Sequence, residues 1–294
     1  MRVLITGTDG VVGREIVNEF KKYKNYNLLE LTNKKKTIKN NKVIYQDLTK
    51  KINLTIKVDA IIHCAAKHPF SKKGNDNMNI YSSNVKMTKN LIKFLNDNNV
   101  KKMIFLSSID VYGLIKNDVV FENQKPLKSN LYGKSKFFSE QLFCKKDNKF
   151  KSVCLRIPSV LTFNLSKNNP LIIKIIKKIM NNEKVFSYNL NKKFNNILDV
   201  KEIVELINVI LKKKKIKNEI YNFSASYPIK FVHMINLMIK LLKSKSEIIS
   251  VMPKKKSFII SSKKLSNHFN YDIASINKII IRCCQKIKKL NYIN

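Results

Sequence analysis

A tyrosine and a lysine four residues apart, Tyr132 and Lys136, form the pair in this sequence that could transfer a proton. On a helix, side chains at positions i and i+4 share one face, so the two would be neighbours. A free phenol has a pKa of about 10 and gives up its proton poorly at neutral pH. A neighbouring ammonium favours the phenolate and would let the tyrosine act as a general acid or base.

Three glycines follow the first strand-like run and indicate a bound phosphate group. They stand at positions 7, 10 and 13 of a chain that holds only six glycines in all. In such a turn one glycine makes the bend, a second lets backbone N–H groups approach a pyrophosphate, and a third allows a helix to pack closely on the strand. The pattern predicts a dinucleotide-binding turn formed by Thr6, Gly7, Gly10, Val11, Val12 and Gly13.

The elements that would position these residues alternate between β-rich runs and helical patterns. The strand candidates are Arg2–Thr6, Leu28–Leu31, Val43–Tyr45, Ala60–Cys64, Met103–Ser107 and Val153–Arg156. The helix candidates are Gly10–Lys22, Tyr81–Asn98, Leu131–Lys145, Pro170–Met180, Val200–Leu211 and Phe231–Leu242. Alternation of this kind predicts an α/β fold, a Rossmann-type doubly wound parallel sheet with a smaller C-terminal substrate-binding lobe. We expect the dinucleotide-binding domain at 1–156 plus about 196–223, and the substrate-binding lobe at 157–195 and 224–294.

Four motifs, in this order and at these intervals, resemble the extended short-chain dehydrogenase/reductase family. They are the Thr-Gly-x-x-Gly-x-x-Gly turn, His63-Cys64-Ala65-Ala66, Ser107-Ser108-x-x-Val111-Tyr112-Gly113 and Tyr132-x-x-x-Lys136. The family includes nucleotide-sugar epimerases, dehydratases and ketoreductases. The resemblance covers about residues 1–225 well and the remainder loosely. It implies that Ser108 holds the substrate oxygen, that Tyr132 is the general acid/base, and that Lys136 tunes Tyr132 and binds the nicotinamide ribose.

The same resemblance assigns further residues to a dinucleotide cofactor. They are Asp47 and Leu48 near the adenine, Ala65 and Ala66 beneath the cofactor, Asn84 at the central helix, and Pro158 beside the nicotinamide, together with Tyr132 and Lys136. A buried histidine is more often a core residue than a catalyst, so His63 receives no role.

The end of the second strand bears on the choice between NADP and NAD. Members of this fold that bind NAD carry an acidic residue there, which holds the ribose 2′-hydroxyl. Here the position reads Thr32, Asn33 and Lys34, which offer a hydroxyl, an amide and a cation. Such groups suit a 2′-phosphate, so NADP is favoured over NAD, although lysine is abundant throughout the chain.

The net charge of +38 could attract nucleic acid or an anionic membrane surface. Of the 58 basic residues, however, only four are arginine, the side chain that nucleic-acid readers favour. We therefore expect no specific nucleic-acid partner. No apolar run approaches the roughly 20 residues of a membrane span, and the N-terminus lacks the pattern of a signal peptide, so we expect a cytoplasmic protein. Five scattered cysteines favour neither a disulfide framework nor a metal site.

The resemblance implies an NAD(P)-dependent oxidoreductase acting on a nucleoside-diphosphate sugar, as a 4-epimerase or a 4-ketoreductase. Asp110 stands where the sugar dehydratases carry a catalytic glutamate, but Ile109 replaces the aspartate that precedes it, which disfavours dehydration. Family members commonly pair through the helices near 84–98 and 131–145, so we expect a homodimer. Two alternatives remain open, a non-catalytic dinucleotide-sensing protein and a polyanion-binding protein that uses the net charge.

Overall fold

The computed structural model describes residues 1–34, 42–69, 77–162, 171–252 and 256–291. Within these residues the α-helices are α1 (Val11–Phe20), α2 (Asn77–Asp97), α3 (Leu131–Phe143), α4 (Leu171–Met180), α5 (Val200–Lys212), α6 (Phe231–Leu242), α7 (Lys263–Phe269) and α8 (Ile276–Asn291). A short 3-10 helix spans Ile109–Tyr112.

The strands of the described residues are numbered in the same way. They are β1 (Arg2–Thr6), β2 (Asn27–Thr32), β3 (Val43–Tyr45), β4 (Ala60–His63), β5 (Lys102–Ser108), β6 (Val119–Val120), β7 (Lys151–Ile157), β8 (Ser159–Leu161), β9 (Val185–Ser187), β10 (Lys193–Phe194), β11 (Ile197–Asp199), β12 (Glu219–Asn222), β13 (Ile229–Lys230), β14 (Ile248–Ser250) and β15 (Ile259–Ile260).

Seven of these strands form the main sheet, in the order β12-β7-β5-β4-β1-β2-β3. From β7 to β3 every neighbouring pair is parallel. The chain first builds outward from β1 through β2 to β3, then returns to the other side of β1 with β4. The order therefore reverses between β1 and β4, which is where ligands bind in open parallel sheets.

The central strands form because their side chains are apolar on both faces, as parallel strands covered by helices require. Val3, Ile5, Ile61 and Ile62 are fully buried. Helix α2 contributes Leu91 and Leu95 to the core cluster on one face of the sheet. This close packing fixes the position of α2 against the sheet, and the residues at the strand ends therefore have defined positions.

The chain divides into two compact units. The first comprises residues 1–114, 125–157 and 203–221, and includes the main sheet apart from the last residue of β12. The second comprises 115–124, 158–202 and 222–294. The two units differ from the boundaries expected from the sequence at 115–124, 157, 196–202 and 222–223, and what each unit binds stays a prediction.

The second unit is built from short strand pairs and helices. Strand β8 is parallel to β11, β9 to β14, and β6 to β15, whereas β10 and β13 are antiparallel. Ion pairs to two buried carboxylates join its segments: the partly exposed Arg282 contacts Asp199 at 2.8 Å and Glu202 at 2.9 Å. The hydroxyl of Tyr271 also donates to Glu202, at 2.7 Å.

The structure confirms the α/β class and the Rossmann-type sheet expected from the sequence. Each of the six predicted strands is present within two residues of its predicted ends. Helix α2 begins four residues earlier than the predicted Tyr81, because its first turn, Asn77-Met78-Asn79-Ile80, alternates polar and apolar residues and lacks the apolar periodicity that marks a helix. Pro170, the predicted start of the fourth helix, lies outside the described residues, and α4 begins at Leu171.

Candidate active site

Apart from Pro158, the predicted site residues lie in the first unit, at or after the carboxyl ends of its parallel strands. Strand pairing aligns Thr6 with His63, Thr32 with Tyr45, and Ser108 with Ile157. The residues that follow these strand ends therefore share an edge, as the fold class requires of a ligand site.

The turn after β1 depends on glycine at positions 7 and 13. Gly7 has φ of +73°, and a Cβ there would lie 2.6 Å from the Ala65 backbone, so the turns after β1 and β4 approach more closely than a side chain permits. A Cβ at Gly13 would overlap the carbonyl oxygen of Gly7. The remaining glycine of the turn, Gly10, is less constrained, since an added Cβ there would lie 3.2 Å from the Gly7 carbonyl oxygen.

Helix α1 begins directly after this turn, and the backbone N–H groups of its first turn make no hydrogen bond within the helix. The N–H of Arg14 is the one that first bonds back into the helix, to the Gly10 carbonyl at 3.0 Å. The N–H groups of Val11, Val12 and Gly13 lie in the first turn, where a helix has no internal acceptors for them. No side chain caps this end, and its first turn carries no acidic residue. The glycine cradle and the helix N-terminus fit a pyrophosphate group.

Hydrogen bonds of Thr6 and His63 fix the position of this turn relative to the end of β4. The Thr6 hydroxyl lies 2.7 Å from His63 Nδ1 and accepts the Ala65 N–H at 3.3 Å. Burial in the first place, and the charge of Lys136 in the second, lower the pKa of His63 to about 3. His63 is therefore a neutral core residue that ties β1 to β4, and the sequence gives no sign of this role beyond its place at a strand end.

The groups expected near the adenosine ribose lie at the end of β2. Thr32 is buried, and its hydroxyl accepts the Lys34 N–H at 3.1 Å. Asn33 and Lys34 are exposed. A backbone turn of this kind presents the amide and the ammonium to solvent at the edge of the site.

The segment after β3 is a turn organised by Asp47. Its Oδ1 accepts the N–H and the hydroxyl of Thr49, both at 2.8 Å. The Leu48 side chain belongs to the core, and the amide of Asn90 on α2 donates to its carbonyl at 2.9 Å. The predicted contacts of Asp47 and Leu48 with an adenine remain predictions.

Asn84 joins the turn after β4 to the helix that carries Tyr132. Its amide donates to the Lys67 carbonyl at 3.1 Å and to the Ser135 hydroxyl at 2.9 Å, and its oxygen accepts the Lys67 N–H at 2.8 Å. Ala65 and Ala66 precede this anchor and are partly buried. Asn84 therefore connects the turn after β4 to α3 through its side-chain hydrogen bonds.

The start of α3 is fixed against the 3-10 helix that follows Ser108. Asn130 caps α3 by accepting the Gly133 N–H at 2.7 Å, and the Ser129 hydroxyl donates to the Asp110 carbonyl at 2.8 Å. A Cβ at Gly133 would overlap that same Asp110 carbonyl, so glycine is required there. Tyr132, the residue before Gly133, is thereby held close to the strand end that carries Ser108.

Tyr132 is 8% exposed, and its pKa is raised above the ordinary value, first by burial and second by the charge of Asp110. The chain on its own therefore keeps the phenol protonated at neutral pH. The ring of His68 packs against that of Tyr132 with centroids 4.6 Å apart. Sequence reasoning missed His68, because the turn in which it lies carries no motif of its own.

Lys136 lies on the same face of α3, as the spacing predicted. Its Nζ is 5.7 Å from the centre of the Tyr132 ring and 4.6 Å from that of Phe105, and it donates to the Leu106 carbonyl at 2.8 Å. Burial lowers its pKa to about 8, against the opposing influence of Cys64 and Glu140. At neutral pH the amine is therefore a buried cation, and its pKa lies only about one unit above that pH.

Ser108 ends β5 and caps the 3-10 helix, because its hydroxyl oxygen accepts the Asp110 N–H at 3.1 Å. It is partly exposed, whereas its neighbour Ser107 is 2% exposed. The accessible hydroxyl of the pair is therefore that of Ser108, the one expected to touch substrate.

A buried ion pair connects α3, which carries Tyr132 and Lys136, to the neighbouring strands. Sequence reasoning missed its acidic member. Glu140, fully buried on α3, accepts from Arg156 Nη2 at 2.7 Å and from Arg156 Nε at 3.0 and 3.2 Å. The Ser107 hydroxyl donates to the same carboxylate at 2.5 Å. The Arg156 guanidinium also lies 4.8 Å from the centre of the Tyr112 ring. The signal available was the i+4 spacing of Glu140 from Lys136, which places an acid on the inward face of the helix.

Arg156 lies two residues before Pro158, and its guanidinium is engaged with Glu140. Pro158 is buried and falls in the second unit, so its predicted cofactor contact stays a prediction. Among the described residues, no group of three or more His, Cys, Asp or Glu side chains is arranged to hold a metal ion. None of the described helices combines the length and the apolarity that crossing a bilayer would need.

Comparison with known proteins places this geometry in context. The model of the NAD dependent epimerase/dehydratase family matches residues 3–224. A UDP-glucose 4-epimerase of Lactobacillus helveticus is 30% identical over 157 residues, which make up 50% of this chain and 47% of the relative. The chain thus spans about half the length of that relative.

Two further similarities extend over more of the chain. A human dTDP-D-glucose 4,6-dehydratase is 26% identical over 265 residues, covering 82% of this chain and 74% of the relative. The crystal structure of a UDP-glucose 4-epimerase from Thermotoga maritima with UDP-glucose superimposes with a TM-score of 0.82 over 99% of this chain and 100% of that one, at 17% identity. At that identity the superposition shows a shared fold.

Proposed function

The chain belongs to the NAD dependent epimerase/dehydratase family, and on that premise we propose that it is an NAD(P)-dependent oxidoreductase acting on a nucleoside-diphosphate sugar. Within that class we propose a 4-epimerase or a 4-ketoreductase. The observation that carries the proposal is the placement of Ser108, Tyr132 and Lys136 at the same sheet edge as the glycine turn. The expected sugar-binding residues lie at 157–195 and 224–294.

The chain's own residues would divide the chemistry as follows. When bound, a pyridine dinucleotide supplies the hydride donor or acceptor and, in its oxidised form, a positive charge on the ring. The Ser108 hydroxyl binds the oxygen of the reacting carbon. Tyr132 transfers the proton to or from that oxygen, and Lys136 stabilises the phenolate that results.

The raised pKa of Tyr132 has a direct consequence for direction. A protonated phenol is the form that donates a proton to a carbonyl oxygen. Without the positive charge of an oxidised dinucleotide, Tyr132 is therefore in the protonation state that reduction of a keto sugar requires. Removing a proton from an alcohol, the first step of epimerisation, needs the phenolate. That step therefore gains most from the positive charge of an oxidised dinucleotide.

We propose NADP as the preferred dinucleotide, with NAD as the alternative. Support comes from Thr32, Asn33 and Lys34, which present no carboxylate to the ribose position. Lys34→Glu should reverse the preference, because a carboxylate accepts the 2′-hydroxyl of NAD and repels a 2′-phosphate. The ratio of the two dissociation constants measures it, and an unchanged ratio would remove Lys34 from the account.

Incubation of the purified protein with UDP-, dTDP- and GDP-sugars separates the candidate activities. Conversion without added dinucleotide indicates epimerisation by a retained cofactor, and NADPH consumption with a 4-keto sugar indicates reduction. Formation of a 4-keto-6-deoxy sugar would indicate dehydration, the activity of the human relative. The Ile109-Asp110 sequence argues against that last outcome.

The acid/base role is tested by Tyr132→Phe, with Tyr23→Phe as the matched control, since Tyr23 lies in the first unit beyond the end of α1 that is away from the glycine turn. Loss of the phenol should lower turnover by roughly 10²-fold or more while dinucleotide binding is retained. The control should keep full activity. Equal activity in both variants would show that another group moves the proton.

The same preparation addresses the two alternatives and the expected homodimer. A dinucleotide-sensing protein would bind NADPH and turn over none of the sugars. A polyanion-binding protein would be retained on heparin in a salt-dependent manner and show no affinity for NADPH. Sedimentation at several concentrations would report the expected dimer.

A further inference from the structure

Two of the five cysteines lie together at the far end of the helix that carries Tyr132. Cys144 directly follows the last residue of α3, and Cys154 is in the middle of β7. Their sulfur atoms are 3.7 Å apart, and both thiols are free. Ten residues separate them in the chain, so the contact is made by the return of the chain from helix to strand.

The two sulfurs have different surroundings. Cys154 is fully buried in the core beneath α2 and α3, whereas Cys144 packs at the margin of that core and is partly exposed. An oxidant in solution can therefore reach Cys144 first. Cys154 is held where it can react only with its neighbour.

Hydrogen bonds make Cys144 the more acidic of the two. The Cys154 thiol lowers the pKa of Cys144, burial opposes that effect, and the Ser152 hydroxyl, which donates to the Cys144 sulfur at 3.6 Å, lowers it further. Burial raises the pKa of Cys154, and its hydrogen bond to Cys144 acts in the same direction. A thiolate is the nucleophilic form of cysteine, so reactivity is concentrated on one member of the pair.

We propose that Cys144 and Cys154 are a redox-active pair that a peroxide converts into a reversible disulfide. In the first step the Cys144 thiolate attacks one peroxide oxygen, the O–O bond breaks, and Cys144 becomes a sulfenic acid; the hydroxide that leaves takes up the proton lost when the thiol ionised and becomes water. In the second step the Cys154 sulfur attacks the Cys144 sulfur, the S–O bond breaks, and a second water leaves. The two thiols lose two electrons and two protons in all, and the peroxide is reduced to two waters.

The other three cysteines are poor competitors. Burial raises the pKa of Cys64 to about 12 and that of Cys284 to about 11, so neither forms a thiolate readily at neutral pH. Cys283 is fully buried. The reaction should therefore stop after two of the five thiols are consumed.

Trypsin separates the two cysteines, which gives the test a direct readout. Lysines at 145, 146, 149 and 151 lie between them, so cleavage yields Phe137–Lys145 and Ser152–Arg156, each with one cysteine. The folded wild-type protein is treated with hydrogen peroxide, quenched, denatured, alkylated and digested without reductant. We expect these two peptides joined as one species that dithiothreitol separates, and alkylation at three cysteines rather than five.

Variants locate the chemistry. Cys144→Ser should abolish both the joined peptides and the fast loss of thiols, whereas the matched change Cys284→Ser, at another buried cysteine, should leave the link intact. Cys154→Ser, whose hydroxyl can still hydrogen-bond to the Cys144 sulfur, should leave a sulfenic acid at Cys144 that dimedone traps. Joined peptides that contain other cysteines, or oxidation of Cys144 to sulfinic acid with Cys154 still alkylated, would overturn the proposal.

The inference does not depend on the proposed activity, because no part of the readout uses substrate or dinucleotide. If the wild-type protein forms the link, the pair is redox-active whatever reaction the site catalyses. If the link fails to form, the assignments of Tyr132 and Lys136 are untouched.

Discussion

Replacement of Glu140 by glutamine should destabilise the first unit strongly although the side chain keeps its size. The carboxylate accepts three hydrogen bonds from Arg156 and one from Ser107, and both charged side chains are at most 3% exposed. Glu140→Gln would leave the Arg156 guanidinium buried without a counter-charge, and one amide N–H would face a donor.

The magnitude follows from the burial of the pair. Breaking a buried ion pair by removing one partner costs about 3–5 kcal/mol, because the remaining charge cannot regain its hydration. The hydrogen bonds should not be summed separately, since they share one carboxylate. For a unit of this size the loss corresponds to a fall in the melting temperature on the order of 10 °C.

A double-mutant cycle distinguishes this account from simple loss of packing. Glu140→Gln, Arg156→Met and the double variant are compared by urea unfolding, with α3 helicity as the signal. Each single variant should lose several kcal/mol, and the double variant should lose much less than the sum, because no buried charge is left unpaired. Strict additivity, or single-variant losses below about 1 kcal/mol, would show that the pair is not coupled as described.

Three further predictions concern protonation and packing. Because the His63 pKa is about 3 when folded against about 6.5 when unfolded, stability should fall by about 1.4 kcal/mol per pH unit as pH drops below 6.5, and His63→Asn should remove that part of the pH dependence in urea unfolding. Because the Lys136 pKa is about 8, the unfolded chain binds the extra proton between pH 8 and 10.5, so stability should rise across that window relative to Lys136→Met. Gly133→Ala should lower both thermal stability and dinucleotide turnover, because its Cβ meets the Asp110 carbonyl, whereas Gly10→Ala should be milder in thermal melts.

The fold was predictable because its signals are local and repeated. Strands such as Arg2–Thr6 are short apolar runs followed by a turn, and the Gly7–Gly13 spacing requires a strand before it and a helix after it. The pairing of Tyr132 with Lys136 on one helix face was predictable for the same reason. Spacing along one element is enough to place both side chains.

The supporting contacts were not predictable, because they join residues far apart in the chain. Nothing local to Glu140 indicates that Ser107 and Arg156, from two different strands, meet its carboxylate. The packing of His68 on Tyr132 likewise depends on how the turn after β4 passes the start of α3. The two-residue strands of the second unit, such as β6 and β15, carry too few residues to show a periodicity.

Binding of a pyridine dinucleotide to the folded chain is the measurement that tests the account most directly. Titration calorimetry with NAD and NADP, each oxidised and reduced, should show saturable one-site binding, tightest for an NADP form. Gly10→Ala should weaken it with little change in the melting temperature, because the added Cβ lies 3.2 Å from the Gly7 carbonyl oxygen and enters the cradle at the start of α1 without overlapping the backbone. Absence of heat from all four dinucleotides, with folded wild-type protein that has first been freed of any retained dinucleotide, would contradict the account.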